Sequence, residues 1–266
     1  MAKGLRFFGT DFNNIAFGGT PSASSSDANA QFAFDGLTGT RWISSGEGTD
    51  GDDIDLEMDW GFNRTIDCAY VYNTNIEDID VEYWDGAVWQ SFATISQSVK
   101  SPLLNYVFFK LASPITATKI RIVGSDTIIP NQQKYVTLFM AFQEIGQFAY
   151  FPDFSPSFIP KQNVFQIDDG RGFVIERGET FNAKIDLKSH VKQTDIDLAE
   201  TLLSRKEPFF IWPNGGDDTG IFRFSFRPFR FQDIFKVTVV GSNNPTYTKN
   251  YYKAGYNNNI NLIEVV

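Results

Sequence analysis

Between Ile54 and Trp60 the chain alternates without a break: Ile54, Leu56, Met58 and Trp60 on one side, Asp55, Glu57 and Asp59 on the other. Only an extended strand, whose successive side chains point to opposite faces, separates these two sets, so one face must meet a core and the other water. The acidic row, with Asp53 before it, could be taken for a metal site. Carboxylates two apart along a strand fan out over a surface and do not converge, so the row is read as a solvated face.

Turn signals repeat this pattern along the first half. DIDVEYWDGAVWQSF reads as a hairpin closed by Asp85-Gly86, since glycine tolerates positive φ and the aspartate bonds its own backbone. IDCAYVYNT is a further strand; NYVFFKLASPITATKIRIVGS supplies two, broken at Pro114; YVTLFMAFQEIGQF closes the half; and Ser22–Asn29 is small and polar, hence loop. Roughly six to eight short strands with turns between them describe a β-sandwich. The stretch FDGLTGTRWISS, Phe34–Ser45, accommodates no helical period. Its Asp35-Gly36 turn and Gly39 can aim the oxygens of Asp35, Thr38 and Thr40 into one small volume, which suits a hard cation with six to eight oxygen ligands. The same residues also suit a solvated loop in which Trp42 plugs one end of the sandwich, and both readings stand.

A length of 266 residues suggests two domains, and the texture changes near residue 148. The expected division is 1–148 and 149–266. Pro152, Pro156 and Pro160 read as an extended linker, and Gly170-Arg171-Gly172 as a turn, because a phosphate loop would need a following helix and a Lys-Ser/Thr pair. Thr194–Lys206 is the one credible helix, capped by Thr194 or Asp195, with Ile196, Ala199, Leu202 and Leu203 on one face. FFIW is a buried strand. Arg223, Arg227 and Arg230 interleave with Phe222, Phe224 and Phe226; alternation puts those phenylalanines on the face opposite Arg223 and Arg227, which favours sheet packing over nucleic-acid stacking. Tyr251–Asn261 reads as a polar, tyrosine-rich loop before a final strand. The expected fold class is therefore mainly β: an N-terminal sandwich, then a second β-rich domain with one helix.

Charge and chemistry narrow the function. Residues 1–146 hold 9 Lys+Arg against 18 Asp+Glu, whereas residues 147–266 hold 14 of each. An acidic half repels phosphate backbones, so no nucleic-acid partner is expected. Cys68 lies in an apolar run and reads as a small buried hydrophobe, and His190 is the only histidine. With no nucleophile elbow and no cluster of metal ligands, no enzyme activity is expected, although paired carboxylates leave that question to the tertiary structure. The segment MAKGLRFFG lacks an apolar core and no run of 18 apolar residues occurs, so neither a signal peptide nor a membrane span is expected.

NIAFGGTPSASSS, AFDGLTGTRWISS, DIDLEMDWG, VEYWDGAVWQSF, and TKIRIVG followed by FQEIG stand in an order that resembles a discoidin-type domain, a relative of the coagulation-factor C-domains with a galactose-binding-like jelly roll. The resemblance covers roughly residues 10 to 146, without the family's terminal disulfide. It implies a structural Ca²⁺ held by Asp35, Thr38 and Thr40 together with the distant Glu144, which would otherwise be an exposed carboxylate. It also implies ligand-gripping loops at one end of the sandwich. Candidates are Ser45–Asp53 and Asp126–Tyr135, the latter with Asn131, Gln132, Gln133 and Tyr135, whose amides donate and accept at once or merely solvate the loop.

The second half is similar in texture to small phage tail-tip and tail-assembly proteins. Together the two resemblances imply a virion structural protein, made in a host cytoplasm, that docks through its C-terminal domain to other virion proteins as a homo-oligomer and displays a module for cell-surface glycan. The competing expectations are an accessory domain of a glycan-active enzyme and a free cytoplasmic carbohydrate-binding protein.

Overall fold

In the computed structural model, the described residues are 5–9, 19–37, 39–45, 52–96, 104–148, 153–166, 172–187, 193–205, 208–212, 220–225, 235–240, 246–250 and 253–264. The chain is mainly β, a jelly-roll sandwich accompanied by a second β-rich unit. The sandwich unit comprises Phe8–Glu144 and Asp217–Asp233, and the other, helix-bearing unit comprises Met1–Phe7, Ile145–Gly216 and Ile234–Val266. Met1–Phe7, Ile145–Phe148 and Asp217–Asp233 thus belong elsewhere than a single cut after residue 148 would put them.

Two long strands make the sandwich. β4 (Ile54–Thr74) runs through both the acidic alternation and IDCAYVYNT, and β7 (Leu104–Thr127) runs straight past Pro114, so each pair of strands read from the sequence is one strand here. Their mutual pairing breaks register between Asp59 and Arg64 and between Ile66 and Cys68. Such breaks let one strand bend and serve both layers of a sandwich. Their earlier β4 and later β7 portions join β2 (Thr20–Ala23), β5 (Ile76–Trp84) and β6 (Trp89–Ser96); their other portions join β3 (Trp42–Ile43), β8 (Tyr135–Phe142) and β13 (Gly220–Ser225). Ile54, Leu56, Met58 and Trp60 enter the shared core with Trp42, Ile79, Val81, Ile120, Ile122 and Phe139, as the period-two pattern requires. Ser22–Asn29 is not simply loop: it contains the end of β2 and the start of a 3-10 helix over Asp27–Ala33, which buries Ala30 and Ala33.

The acidic face is more than solvated. Arg121 lies opposite both Glu57 and Glu82, and Lys119 opposite Asp59. Lys119 bonds Glu57 and Asp59 at 2.9 and 3.0 Å, and Arg121 bonds Glu82 at 2.6 Å and Asp55 at 3.5 Å. Cross-strand pairs of opposite charge stabilise a sheet face by roughly 0.2–1 kcal/mol each. Arg121 also lies 4.2 Å over Trp89, which meets Trp84 edge-on at the β5–β6 hairpin.

The helix-bearing unit is built on a sheet in the order β10 (Asp153–Gln166), β11 (Gly172–Leu187), β16 (Lys253–Glu264), β14 (Phe235–Val240), β12 (Phe209–Trp212), β1 (Arg6–Gly9) and β9 (Glu144–Gln147), with β15 (Thr246–Asn250) paired to β16. Pro156 and Pro160 of the expected proline linker lie in strand β10, which among the described residues pairs only with β11; Pro152 lies outside the described residues. Pro156 and Pro160 lack an N–H to give a second neighbour, so an edge is where a strand containing them belongs. The expected terminal loop is strand from Lys253 onward; Tyr251 and Tyr252 lie outside the described residues. The one α-helix among the described residues, α1 (Gln193–Ser204), buries Leu198, Ala199 and Leu202, with Ile196 and Leu203 half-buried. Asp195, expected as a cap, sits inside the first turn and is buried. Phe226, Arg227, Arg230 and His190 lie outside the described residues; Arg223 and its neighbours form β13 against β7.

Candidate functional site

One end of the sandwich carries a polar shelf fixed by two buried anchors, Asn75 and Ser44. Asn75 sits between β4 and β5; its Nδ2 donates to the Gln133 carbonyl at 2.8 Å and its Oδ1 accepts the Tyr135 N–H at 2.8 Å. Ser44 follows β3; its N–H donates to the Lys134 carbonyl at 2.8 Å, its Oγ accepts the Lys134 N–H at 2.9 Å, and its carbonyl accepts from Gln133 Nε2 at 3.1 Å. Thr74 Oγ1 donates to the Tyr135 carbonyl at 2.6 Å. The buried Lys134 reaches with Nζ to the Asp52 carbonyl at 3.0 Å, tying this loop to the residue before β4. Five of the named hydrogen bonds engage backbone groups of three consecutive residues and leave the backbone of Gln133–Tyr135 little freedom, and a binding surface ordered in advance loses less entropy when a ligand arrives.

The four expected ligand residues are brought together in this loop, with different duties. Asn131 takes a left-handed φ of 63°, which an asparagine tolerates, and it is exposed, as are Gln132 and Gln133. Gln133 has one amide hydrogen committed to Ser44. Tyr135 is half-buried, and the guanidinium of the exposed Arg41 lies 5.0 Å from its ring centroid. That contact covers one ring face, so Tyr135 serves as the seat of a cation. Arg41 is a candidate the sequence reading missed; the signal was there in T-R-W, one residue before the strand that pairs with Tyr135. Ser44 and Asn75, as lone polar residues at strand ends, carried no signal.

Trp42 does plug the sandwich: it is fully buried, and its Nε1 donates to the Ser25 carbonyl at 3.0 Å. The Asp35 turn beside it is closed by its own groups. Asp35 Oδ1 accepts the Leu37 N–H at 2.8 Å, its Oδ2 accepts from Thr40 Oγ1 at 2.6 Å, and Gly36 supplies a φ of 77°. Thr38 lies outside the described residues. Glu144 is held elsewhere, two residues beyond the end of β8 that is farthest from Trp42. Its Oε2 lies 3.5 Å from Lys110 Nζ, and its N–H donates to Asp67 Oδ1 at 2.9 Å. Asp35 and Thr40 are together and Glu144 is not with them; as placed, the described members do not fit a shared cation site, and a lysine ammonium already supplies positive charge beside Glu144. No group of three or more His, Cys, Asp or Glu suited to a metal occurs among the described residues.

Lys110 and Asp67 form a buried ion pair at 2.8 Å, and Cys68 Sγ donates to Asp67 Oδ1 at 3.0 Å. Burial, and after it the Asp67 carboxylate, pushes the Cys68 thiol well above its ordinary pKa. The unfolded thiol ionises near about pH 8.5 while the folded one keeps its proton, so the stability this group carries is complete below that pH and falls as pH rises past it. A thiol reagent is expected to label Cys68 only after denaturation, from about pH 7 to about pH 9. Labelling of the native protein at the rate of a free thiol would contradict this placement.

No protein family's pattern matches the chain, and no curated protein matches it in sequence. Among solved structures, a variant of chitosan-binding module 1 from a chitosanase/glucanase of Paenibacillus sp. IK-5 is 19% identical, with a TM-score of 0.41 over 49% of this chain and 98% of that one. The family 32 carbohydrate-binding module of Clostridium perfringens NanJ, solved with galactose, is 19% identical, with a TM-score of 0.40 over 47% and 93%. A third, from a family 31 glycoside hydrolase of Clostridium perfringens, is 14% identical, with a TM-score of 0.39 over 47% and 91%. These likenesses cover about half of the chain.

Proposed function

We propose that this is a structural protein that binds glycans: the sandwich unit holds a hydroxyl-rich ligand at its polar shelf, and the helix-bearing unit docks into a larger particle such as a phage tail tip or baseplate. The observation that carries the glycan reading is the fixed Gln133–Tyr135 backbone with Arg41 seated on Tyr135. Arg41 offers a planar fork of donors, and the exposed amides of Asn131, Gln132 and Gln133 both donate and accept, which matches sugar hydroxyls that do the same. Binding is the activity assigned to the shelf, because the side chains named there are hydrogen-bond donors and acceptors. The particle reading is supported by charge: the sandwich unit, by its own residues, holds 10 Lys+Arg and 21 Asp+Glu, the helix-bearing unit 13 and 11, so the latter packs against copies of itself at lower electrostatic cost.

A glycan array probed with the whole protein tests the shelf. Arg41→Ala is expected to weaken binding to any glycan found by about tenfold or more, roughly 1.4 kcal/mol, with the unfolding midpoint little changed because Arg41 is exposed. Equal binding by the wild type and by the Arg41→Ala and Gln132→Ala variants would move the site away from this end.

A further inference from the structure

β12 and β14 pair directly, with Phe209 opposite Val237 and Ile211 opposite Phe235, so nothing between them is needed to hold them together. Between Ile211 and Phe235 the chain nevertheless makes a long excursion, and within it β13 pairs with β7 in the sandwich unit, from Gly220 opposite Lys110 to Ser225 opposite Leu104. On its other side this part of β7 pairs with β4, so β13 is an added edge strand. A strand joined by main-chain hydrogen bonds at an edge is a recurring way to recognise an extended peptide, because every peptide unit offers the same bonds. Residues 213–219, PNGGDDT, precede the strand, and residues 226–234 follow it. At about 3.3–3.6 Å per extended residue, such lengths span at most roughly 25 and 32 Å.

We propose that β13 is an exchangeable arm: Gly220–Ser225 of one copy of the chain pairs with the Leu104–Lys110 edge of a second copy, reciprocally, giving a two-fold symmetric dimer. The second copy is the fitting occupant because the edge already accepts this segment in a defined register, with one irregularity between Phe224 and Ser225. A reciprocal exchange also leaves neither edge bare, which removes a template for uncontrolled strand addition. Closed and exchanged forms contain the same β7–β13 bonds, so their balance is set by concentration. Dilute protein is monomeric, and exchange grows when copies are crowded or held side by side.

Val107 and Arg223 are directly opposed, so the Val107→Cys/Arg223→Cys variant reports where each arm lies. After oxidation, micromolar protein is expected to give the intrachain cross-link. Protein concentrated to the millimolar range through a cycle of mild denaturation and recovery is expected to give a disulfide-linked dimer of doubled mass on non-reducing gels, every variant also carrying Cys68→Ala because denaturation exposes that thiol. A Ser91→Cys/Arg223→Cys control, whose positions lie on different strands that do not pair, gives neither product. Intrachain cross-links alone at every concentration would overturn the proposal. Light scattering supplies the second readout: wild-type protein taken through the same cycle at millimolar concentration gives a dimer, and the Val107→Cys/Arg223→Cys variant locked beforehand by its intrachain cross-link, which keeps the edge covered, does not. Equal dimerisation of the locked variant and the wild type would overturn it.

Discussion

Deleting Met1–Gly9 is expected to unfold the helix-bearing unit, although every residue of that unit beyond the first seven remains. β1 is an internal strand of its sheet, between β12 and β9, and its removal exposes the edges of both. Leu5 and Phe7 are fully buried, and Phe7 meets Phe148 edge-on with ring centroids 5.3 Å apart and Phe209 at 6.1 Å. Phe7→Ala alone is expected to cost about 3–5 kcal/mol through lost burial and the cavity left behind. That is a large share of the roughly 5–15 kcal/mol that keeps a domain folded. Urea unfolding followed through the buried Trp212 measures it; a midpoint unchanged by Phe7→Ala would mean that β1 is dispensable. The isolated segment 149–266 fails for the same reason, since it lacks β1 and β9 entirely. Point variants, not truncation at residue 148, are therefore the way to separate the contributions of the two units.

What the sequence made legible was local. The Ile54–Trp60 alternation, the Asp35-Gly36 and Asp85-Gly86 turns with φ of 77° and 105° at their glycines, and the amphipathic helix each follow from a few neighbouring residues, and each is found. What was not legible depends on partners distant in the chain. Nothing in RFFG says that Phe7 and Phe8 enter different units, because alternate residues of any strand differ in face and only the tertiary sheet order shows what lies against each. Pro114 reads as a break but sits where β7 passes from one stretch of β4 pairing to the next, between Lys110 and Ile115, so its missing N–H interrupts no bond of that ladder. Asn131–Tyr135 could be named as a loop rich in amides, yet its rigidity comes from Ser44 and Asn75, some sixty to ninety residues earlier. The resemblance alone puts Glu144 at the Asp35 turn, and Lys110, whose ammonium lies 3.5 Å from it, is on a different strand.

Lys110→Met is expected to be among the most damaging single changes in the sandwich unit. Its ammonium bonds Asp67 Oδ2 at 2.8 Å and the Leu111 carbonyl at 3.0 Å and lies 3.5 Å from Glu144, with the side chains of Lys110 and Asp67 only 5% and 4% exposed. Methionine preserves most of the apolar stem but leaves the Asp67 charge buried without its cation, and breaking one side of a buried pair costs about 3–5 kcal/mol. Asp67 does more than balance charge: Oδ1 also accepts the Glu144 N–H and the Cys68 thiol. Replacing it by asparagine keeps an acceptor for those donors and removes the charge. Asp67→Asn combined with Lys110→Met is therefore expected to be more stable than Lys110→Met alone, with a coupling of roughly 1–3 kcal/mol in a double-mutant cycle read by chemical denaturation. Strict additivity of the two changes would show that the pair contributes no mutual stabilisation and that the cluster owes its place to packing.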